Sequence, residues 1–251
     1  DFDPIWDVQV IVALNDKTQA SRKVLNEKLQ AMLNPHGQQH PRGAKFRVGD
    51  KVIHLKNCSL KNSKTHYGSE KTTCAAVDDE FRVNRNAEEV TVANGDFGRV
   101  VGFDNKDRMI VRYEYPVRYA LYPAPRKGKP DDEERSGGNN PAGSEKDAES
   151  KGQIVDLGYA ATCHKMQGSQ AKAIALVLDD SPGASGTAGI CKREWLFTGI
   201  SRMQKMVALI GKKETAERMV SRQALPERKT FLAELIGAER EKLAQTAEQF
   251  F

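Results

Sequence analysis

Val8-Gln9-Val10-Ile11-Val12-Ala13-Leu14 is an almost continuous apolar run rich in β-branched side chains. That pattern predicts a strand buried on both faces, as in a parallel sheet. Asn15 or Asp16 is placed to cap a following helix. In it Val24, Leu25, Leu29, Met32 and Leu33 recur at helical spacing until Asn34-Pro35 ends the run. A strand feeding an amphipathic helix is one unit of an α/β layer. The period changes at Phe46. From there to Leu55, apolar and polar residues alternate around Gly49-Asp50, a half-buried β pattern. A polar tract over residues 57–89 interrupts it, and it resumes over 90–93, 94–103 and 109–113. Asn94-Gly95 predicts a hairpin turn, and short strands at this spacing predict a small β-barrel whose first hairpin is distended by the insertion.

Residues 124–153 are Pro, Gly, Ser and mixed charge with almost no apolar side chain. Such a stretch cannot bury enough surface to offset its ordering entropy, which predicts a flexible linker. The α/β texture then returns. Residues 173–178 and 206–210 read as buried strands, and 194–201 and 213–220 as helices. An α/β layer interrupted by β structure implies one domain inserted into another. Residues 1–42 and 154–251 would form a parallel-sheet domain, 43–123 an SH3-like barrel, and 124–153 the linker.

The chain has 251 residues, 39% hydrophobic and 29% charged, which suits one large globular domain or two modest ones. No apolar run approaches the roughly 20 residues that span a bilayer, and no signal peptide is visible. A cytoplasmic protein with no membrane partner is expected. Because the chain begins at Asp1 rather than Met, it is expected to be a fragment. Cys58, Cys74, Cys163 and Cys191 are scattered without a C-x-x-C pair, so neither a zinc site nor a disulfide framework is expected. The net charge of +5 suits a polyanionic partner, although many proteins that bind no nucleic acid are as basic.

The chemistry gathers in two segments. In Thr162-Cys163-His164-Lys165-Met166-Gln167-Gly168-Ser169-Gln170, a hydroxyl, an imidazole and an ammonium can all donate to phosphate or sugar oxygens. Gln167-Gly168-Ser169 lets the backbone turn close to a ligand. Alone, the segment reads equally well as a polar loop with a helix-capping Thr and a solvated Lys. Arg202 follows a helix bearing Trp195, Leu196, Phe197 and Ile200. It is either an arginine finger for a γ-phosphate or a surface arginine favourably placed at a helix C-terminus.

Taken together, the two segments resemble motifs V and VI of superfamily-1 helicases of the RecD-like branch. Thr162 to Ser169 has the T-x-H-K-x-Q-G-S form, and Leu196-Phe197-Thr198-Gly199-Ile200-Ser201-Arg202 the L-x-T-x-x-[ST]-R form. Phe46-Arg47-Val48-Gly49-Asp50-Lys51-Val52 and Asn94-Gly95-Asp96-Phe97-Gly98 are similar to the SH3-like insertion of that branch. Leu25-Asn26 with Leu33-Asn34-Pro35 is similar to its helix after motif IV, and Arg228-Lys229-Thr230 with Leu232-Ala233 to its C-terminal stretch. The resemblance implies an α/β, RecA-like (P-loop NTPase-type) second motor domain with an inserted SH3-like barrel. It implies a 5′-to-3′ DNA helicase acting in repair or recombination. Thr162, His164 and Lys165 would meet single-stranded DNA, Gln167 and Gly168 would link DNA to nucleotide, and Arg202 would be the catalytic finger.

Two positions depart from the family. Gln170 stands where motif V has an acidic residue that meets the nucleotide. Motif IV lacks its arginine, leaving Asn15 and Lys17 as partial substitutes. No G-x-x-x-x-G-K-[ST] loop occurs in the chain. ATP and Mg²⁺ are therefore expected to bind mainly to an N-terminal RecA-like domain of the same protein, and this chain alone is not expected to hydrolyse ATP. Recombination or replication proteins are further expected partners. The other readings are a non-catalytic DNA-binding scaffold that keeps the fold, and the helicase module of a conjugative relaxase.

Overall fold

The computed structural model describes residues 2–60, 75–77, 90–114, 117–122, 154–186, 189–223 and 236. The expected linker, most of the 57–89 tract and the 228–233 stretch lie outside them. In chain order the elements are β1 (Val8–Val12), α1 (Arg22–Leu33), β2 (Lys51–His54), β3 (Cys58–Leu60), β4 (Ala75–Val77), β5 (Val90–Val92), β6 (Phe97–Phe103), β7 (Met109–Tyr113), β8 (Arg118–Tyr122) and β9 (Val155–Leu157). There follow β10 (Ala160–Thr162), a 3₁₀ turn (Cys163–Met166), β11 (Ala171–Val177), α2 (Pro182–Ser185), α3 (Arg193–Ile200), β12 (Met203–Ile210) and α4 (Lys213–Ser221). No described helix is long and apolar enough to cross a membrane.

Four strands form a parallel sheet in the order β10-β1-β11-β12. Ile11, Ile174 and Leu176 fill its centre with Trp195, Leu196 and Met219 from the helices on one face. A Cβ on Gly199 would lie 2.7 Å from Leu176 Cδ1, so α3 rests directly on the sheet there. Residues 206–210 were expected to be buried. Instead Met206, Leu209 and Ile210 are half exposed, because β12 is an edge strand with no further neighbour among the described residues. Phe197, on the same helix as the buried Trp195 and Leu196, is likewise exposed.

Helix α1 has its N-cap position at Ser21, five or six residues beyond the expected Asp16 or Asn15. Its first N–H groups are taken by loop carbonyls, Arg22 N–H by Leu14 and Lys23 N–H by Asn15, so the loop itself satisfies them. Its buried face is polar. Asn26 and Gln30 are buried while Met32 is 74% exposed. The Asn26 amide donates to the Ala160 carbonyl (2.9 Å) and accepts from the Ala160 N–H (2.8 Å), so it substitutes for a strand at the β10 edge.

Six strands, in the order β4-β8-β7-β6-β2-β9, form the antiparallel sheet, and β3 pairs separately with β5. Asn94-Gly95 does turn, with Gly95 at φ +96°, but it makes no hairpin: β5 and β6 on either side of it pair with different strands. β2 is buried along its whole length rather than on one face. Val52 faces the antiparallel core with Val100 and Val111, while Ile53 joins the core of the parallel sheet. After β9 the chain crosses to the parallel sheet at Gly158, where a Cβ would lie 2.8 Å from the Val52 carbonyl carbon.

Buried polar groups hold the two sheets together. Asp50 Oδ1 accepts from Asn34 Nδ2 (2.7 Å) and the Tyr159 hydroxyl (2.9 Å), and Oδ2 from Gln30 Nε2 (2.5 Å) and the Arg47 N–H (2.7 Å). Asp156 on β9 is paired with Arg22 of α1 and with Lys45, each at 2.5 Å. Burial alone would raise the Asp156 carboxyl, but these two cations hold it below the usual carboxylate range. Lys51 is buried as well. Its ammonium donates to the carbonyls of Ile5 and Val8 and lies over the rings of Trp6 and Phe97.

Candidate functional site

β10 ends level with β1, Thr162 opposite Val12, so the segments after both strands leave the same edge of the parallel sheet. Thr162 is itself buried, 8% exposed, and starts the 3₁₀ turn from an extended backbone. Within that turn Cys163 and Met166 point into the core, and His164 and Lys165 point away from it. The division follows from chemistry: the two apolar side chains fill the space under α3, and the two polar ones stay near water. The Gln167 N–H bonds back to the His164 carbonyl (3.2 Å), and Gly168 at φ +83° reverses the chain. Gln167 and Gln170 are exposed.

Asn15 and Lys17 leave the same edge after β1. Asn15 is already engaged, its Oδ1 accepting from Arg22 Nε (2.9 Å), and Lys17 is exposed with φ +73°. Arg202 stands at the other end of the sheet, where its carbonyl accepts from the Ala171 N–H (3.0 Å) beside Gln170. Its side chain then folds back along α3. Nε donates to the Thr198 carbonyl (3.2 Å) and Nη2 to Ser201 Oγ (3.0 Å), while Nη1 makes no hydrogen bond to the described residues.

The two segments meet across α3. Cys163 Sγ approaches the Trp195 carbonyl at 3.8 Å. A cavity of about 410 Å³ opens between them, lined among others by His164, Gln167, Lys192, Trp195 and Thr198. Burial pushes the Cys163 thiol up to about 11, with the Arg202 charge acting in the opposite direction, and burial pushes Cys191 up to about 12. Both thiols stay protonated near neutral pH and offer no nucleophile. Among the described residues no group of His, Cys, Asp and Glu can hold a metal ion.

The arrangement thus brings Thr162, His164, Lys165 and Gln167 together with α3, the helix that precedes Arg202. Asn15 and Lys17 share an edge with the first group only. One contact was missed by sequence reasoning: Lys165 Nζ donates to Asn94 Oδ1 at 3.3 Å. The Asn94-Gly95-Asp96 run reads in the sequence as a turn and as part of the SH3-like resemblance, neither of which indicates a contact to Lys165.

Residues 25–113 match the family model for the SH3 domain of ATP-dependent RecD-like DNA helicases. Residues 157–210 match the model for the UvrD-like helicase C-terminal domain. A comparison with curated proteins finds no match. Among solved structures, the chain is similar to the Pif1 helicase from Bacteroides in complex with ADP-AlF3 and ssDNA (14% identity, TM-score 0.39, 94% of this chain and 45% of that one). It is also similar to the Pif1 helicase from Candida albicans (12% identity, TM-score 0.40, 84% of this chain and 48% of that one). The chain spans a little under half the length of these relatives.

Proposed function

We propose, from a chain that belongs to the RecD-like superfamily-1 helicases and carries their SH3-like domain and second RecA-like motor domain, that it is the C-terminal motor half of an ATP-dependent 5′-to-3′ DNA helicase. His164 and Lys165 hold the backbone of single-stranded DNA, with Thr162 at the base of their turn. Backbone contacts of this kind are tolerant of sequence and sensitive to salt. Gln167, Gly168 and Gln170 lead from that turn toward Arg202.

The observation that carries the reading is the packing of the His164–Lys165 turn on α3, the helix that Arg202 follows by two residues. Residues that meet DNA and a residue that meets nucleotide then sit on one rigid unit, and a shift of either moves the other. Arg202 fits a terminal phosphate: its Nη1 protons make no hydrogen bond to the described residues, and a guanidinium binds phosphate oxygens well. The described residues offer no phosphate-cradling loop and no metal-binding carboxylate group, so ATP and Mg²⁺ would be held mainly by an N-terminal RecA-like domain. Bound there, ATP supplies the free energy for closing the cleft between the domains.

The reading is tested by unwinding of tailed duplexes by the intact protein. A duplex with a 5′ single-stranded tail should be opened in the presence of ATP and Mg²⁺, and one with only a 3′ tail should not. Equal unwinding of both, or of the 3′-tailed duplex alone, overturns the polarity. Tight DNA binding with no unwinding of either favours the scaffold reading.

A further inference from the structure

The turn between β5 and β6 lands on the 3₁₀ turn of motif V. Asn94 Oδ1 accepts from the Lys165 ammonium (3.3 Å), and a Cβ on Gly95 would lie 3.0 Å from the Lys165 carbonyl oxygen. Both ends of Lys165 therefore face the same two residues. Below them Ile53 and Phe97, from the antiparallel sheet, pack into the cluster that holds the fully buried Met166. The turn is itself firmly tied. The Asn94 N–H donates to Asn57 Oδ1, the Gly95 N–H to the His54 carbonyl and the His54 N–H to the Asp96 carbonyl, each at 2.8 Å. The Asp96 carboxylate accepts from the Ala93 N–H (2.8 Å) and pairs with Arg118 at 2.5 Å.

We propose that Asn94 is a positioning residue for DNA binding, through which the SH3-like domain sets where the Lys165 ammonium stands. The proposal rests on the reading of Lys165 as a contact to the DNA backbone. A lysine side chain carries about 2 kcal/mol of rotamer entropy, part of which is lost when it is fixed on a phosphate. One N–H held by Asn94 reduces that loss in advance and leaves the other two for the phosphate. The bond is long and its donor partly exposed, so the effect is modest: about a three- to tenfold change in affinity, as for one ordinary hydrogen bond and less than a well-formed bond to a charged group gives.

The test measures the affinity of the intact protein for an oligothymidine against salt concentration. Wild type, Asn94→Ala, Lys165→Ala and the double variant are compared, with matched thermal melting as the control for folding. Asn94→Ala should weaken binding by about three- to tenfold and lower the slope of log affinity against log salt toward that of Lys165→Ala. A single lost phosphate contact is worth about 0.7 in that slope, a change that a purely structural defect does not produce. In the double variant, Asn94→Ala should add nothing to Lys165→Ala. A wild-type affinity and slope for Asn94→Ala, when Lys165→Ala is weakened, overturns the proposal, as does an additive double variant. If Lys165→Ala itself binds like wild type, the DNA-contact reading of Lys165 falls, and the positioning role with it.

Discussion

Replacing Asp50 by Ala should loosen the joint between the two sheets. Its carboxylate is fully buried and accepts four hydrogen bonds, two on each oxygen, from α1, from its own loop and from Tyr159 next to β10. Removing it leaves those donors facing a void. At roughly 1 kcal/mol for each buried donor left without a partner, the loss is about 4 kcal/mol, a large part of a typical domain's stability. Asp50→Asn should cost about half as much. One oxygen and its two donors are kept, while the new amide faces the other two. Tyr159 sharpens the contrast: burial, and then the Asp50 charge, push its phenol well above the ordinary tyrosine value, so it remains a donor throughout the neutral range. Urea denaturation followed by circular dichroism gives the midpoint and slope. The predicted order is wild type, Asp50→Asn, Asp50→Ala, with the alanine variant losing cooperativity between the sheets. A loss below about 1 kcal/mol for Asp50→Ala would refute the reasoning, because buried donors cannot be left unpaired so cheaply.

Three further outcomes are expected. Burial pushes the Lys51 ammonium down to about 8, with Asp3 and Asp7 acting in the opposite direction. The unfolded chain then binds more protons than the folded one between about pH 8 and 10.5, so stability should rise across that window by roughly 3 kcal/mol. Denaturation midpoints against pH should show the rise in wild type and not in Lys51→Met. Asn26→Ala should cost about 2–3 kcal/mol by leaving the Ala160 N–H and carbonyl unpaired, and the Ala160 amide should exchange its hydrogen faster. Gly199→Val should lift α3 from Leu176 and cost about 1–3 kcal/mol by overpacking, read as a lower melting temperature.

The parts of the fold most legible in the sequence were those where packing follows local pattern. The run at β1 and the alternation at 109–113 both became strands. Elements whose burial depends on a distant partner were harder to read. α1 turns Asn26 and Gln30 inward because the edge of β10 and the carboxylate of Asp50 need hydrogen-bond partners, and no hydrophobic periodicity announces that. The alternation around β2 suggested one wet face, yet Ile53 is buried because it packs into the core of the parallel sheet. The Asn94-Gly95 turn and the strands on either side of it were legible, but not that those strands pair with different partners. In the candidate site, Thr162 to Gln170 and Arg202 stood out by motif. The bond from Lys165 to Asn94 spans 71 positions, and nothing local encodes it.

The central claim, that Arg202 completes the nucleotide site of an ATP-driven DNA motor, is tested most directly by single-stranded-DNA-stimulated ATP hydrolysis of the intact protein. Wild type and Arg202→Ala are compared at saturating DNA. The account predicts stimulated hydrolysis in wild type and a loss of about a thousandfold or more in Arg202→Ala, with DNA affinity little changed. Stimulated hydrolysis that persists in Arg202→Ala would contradict it.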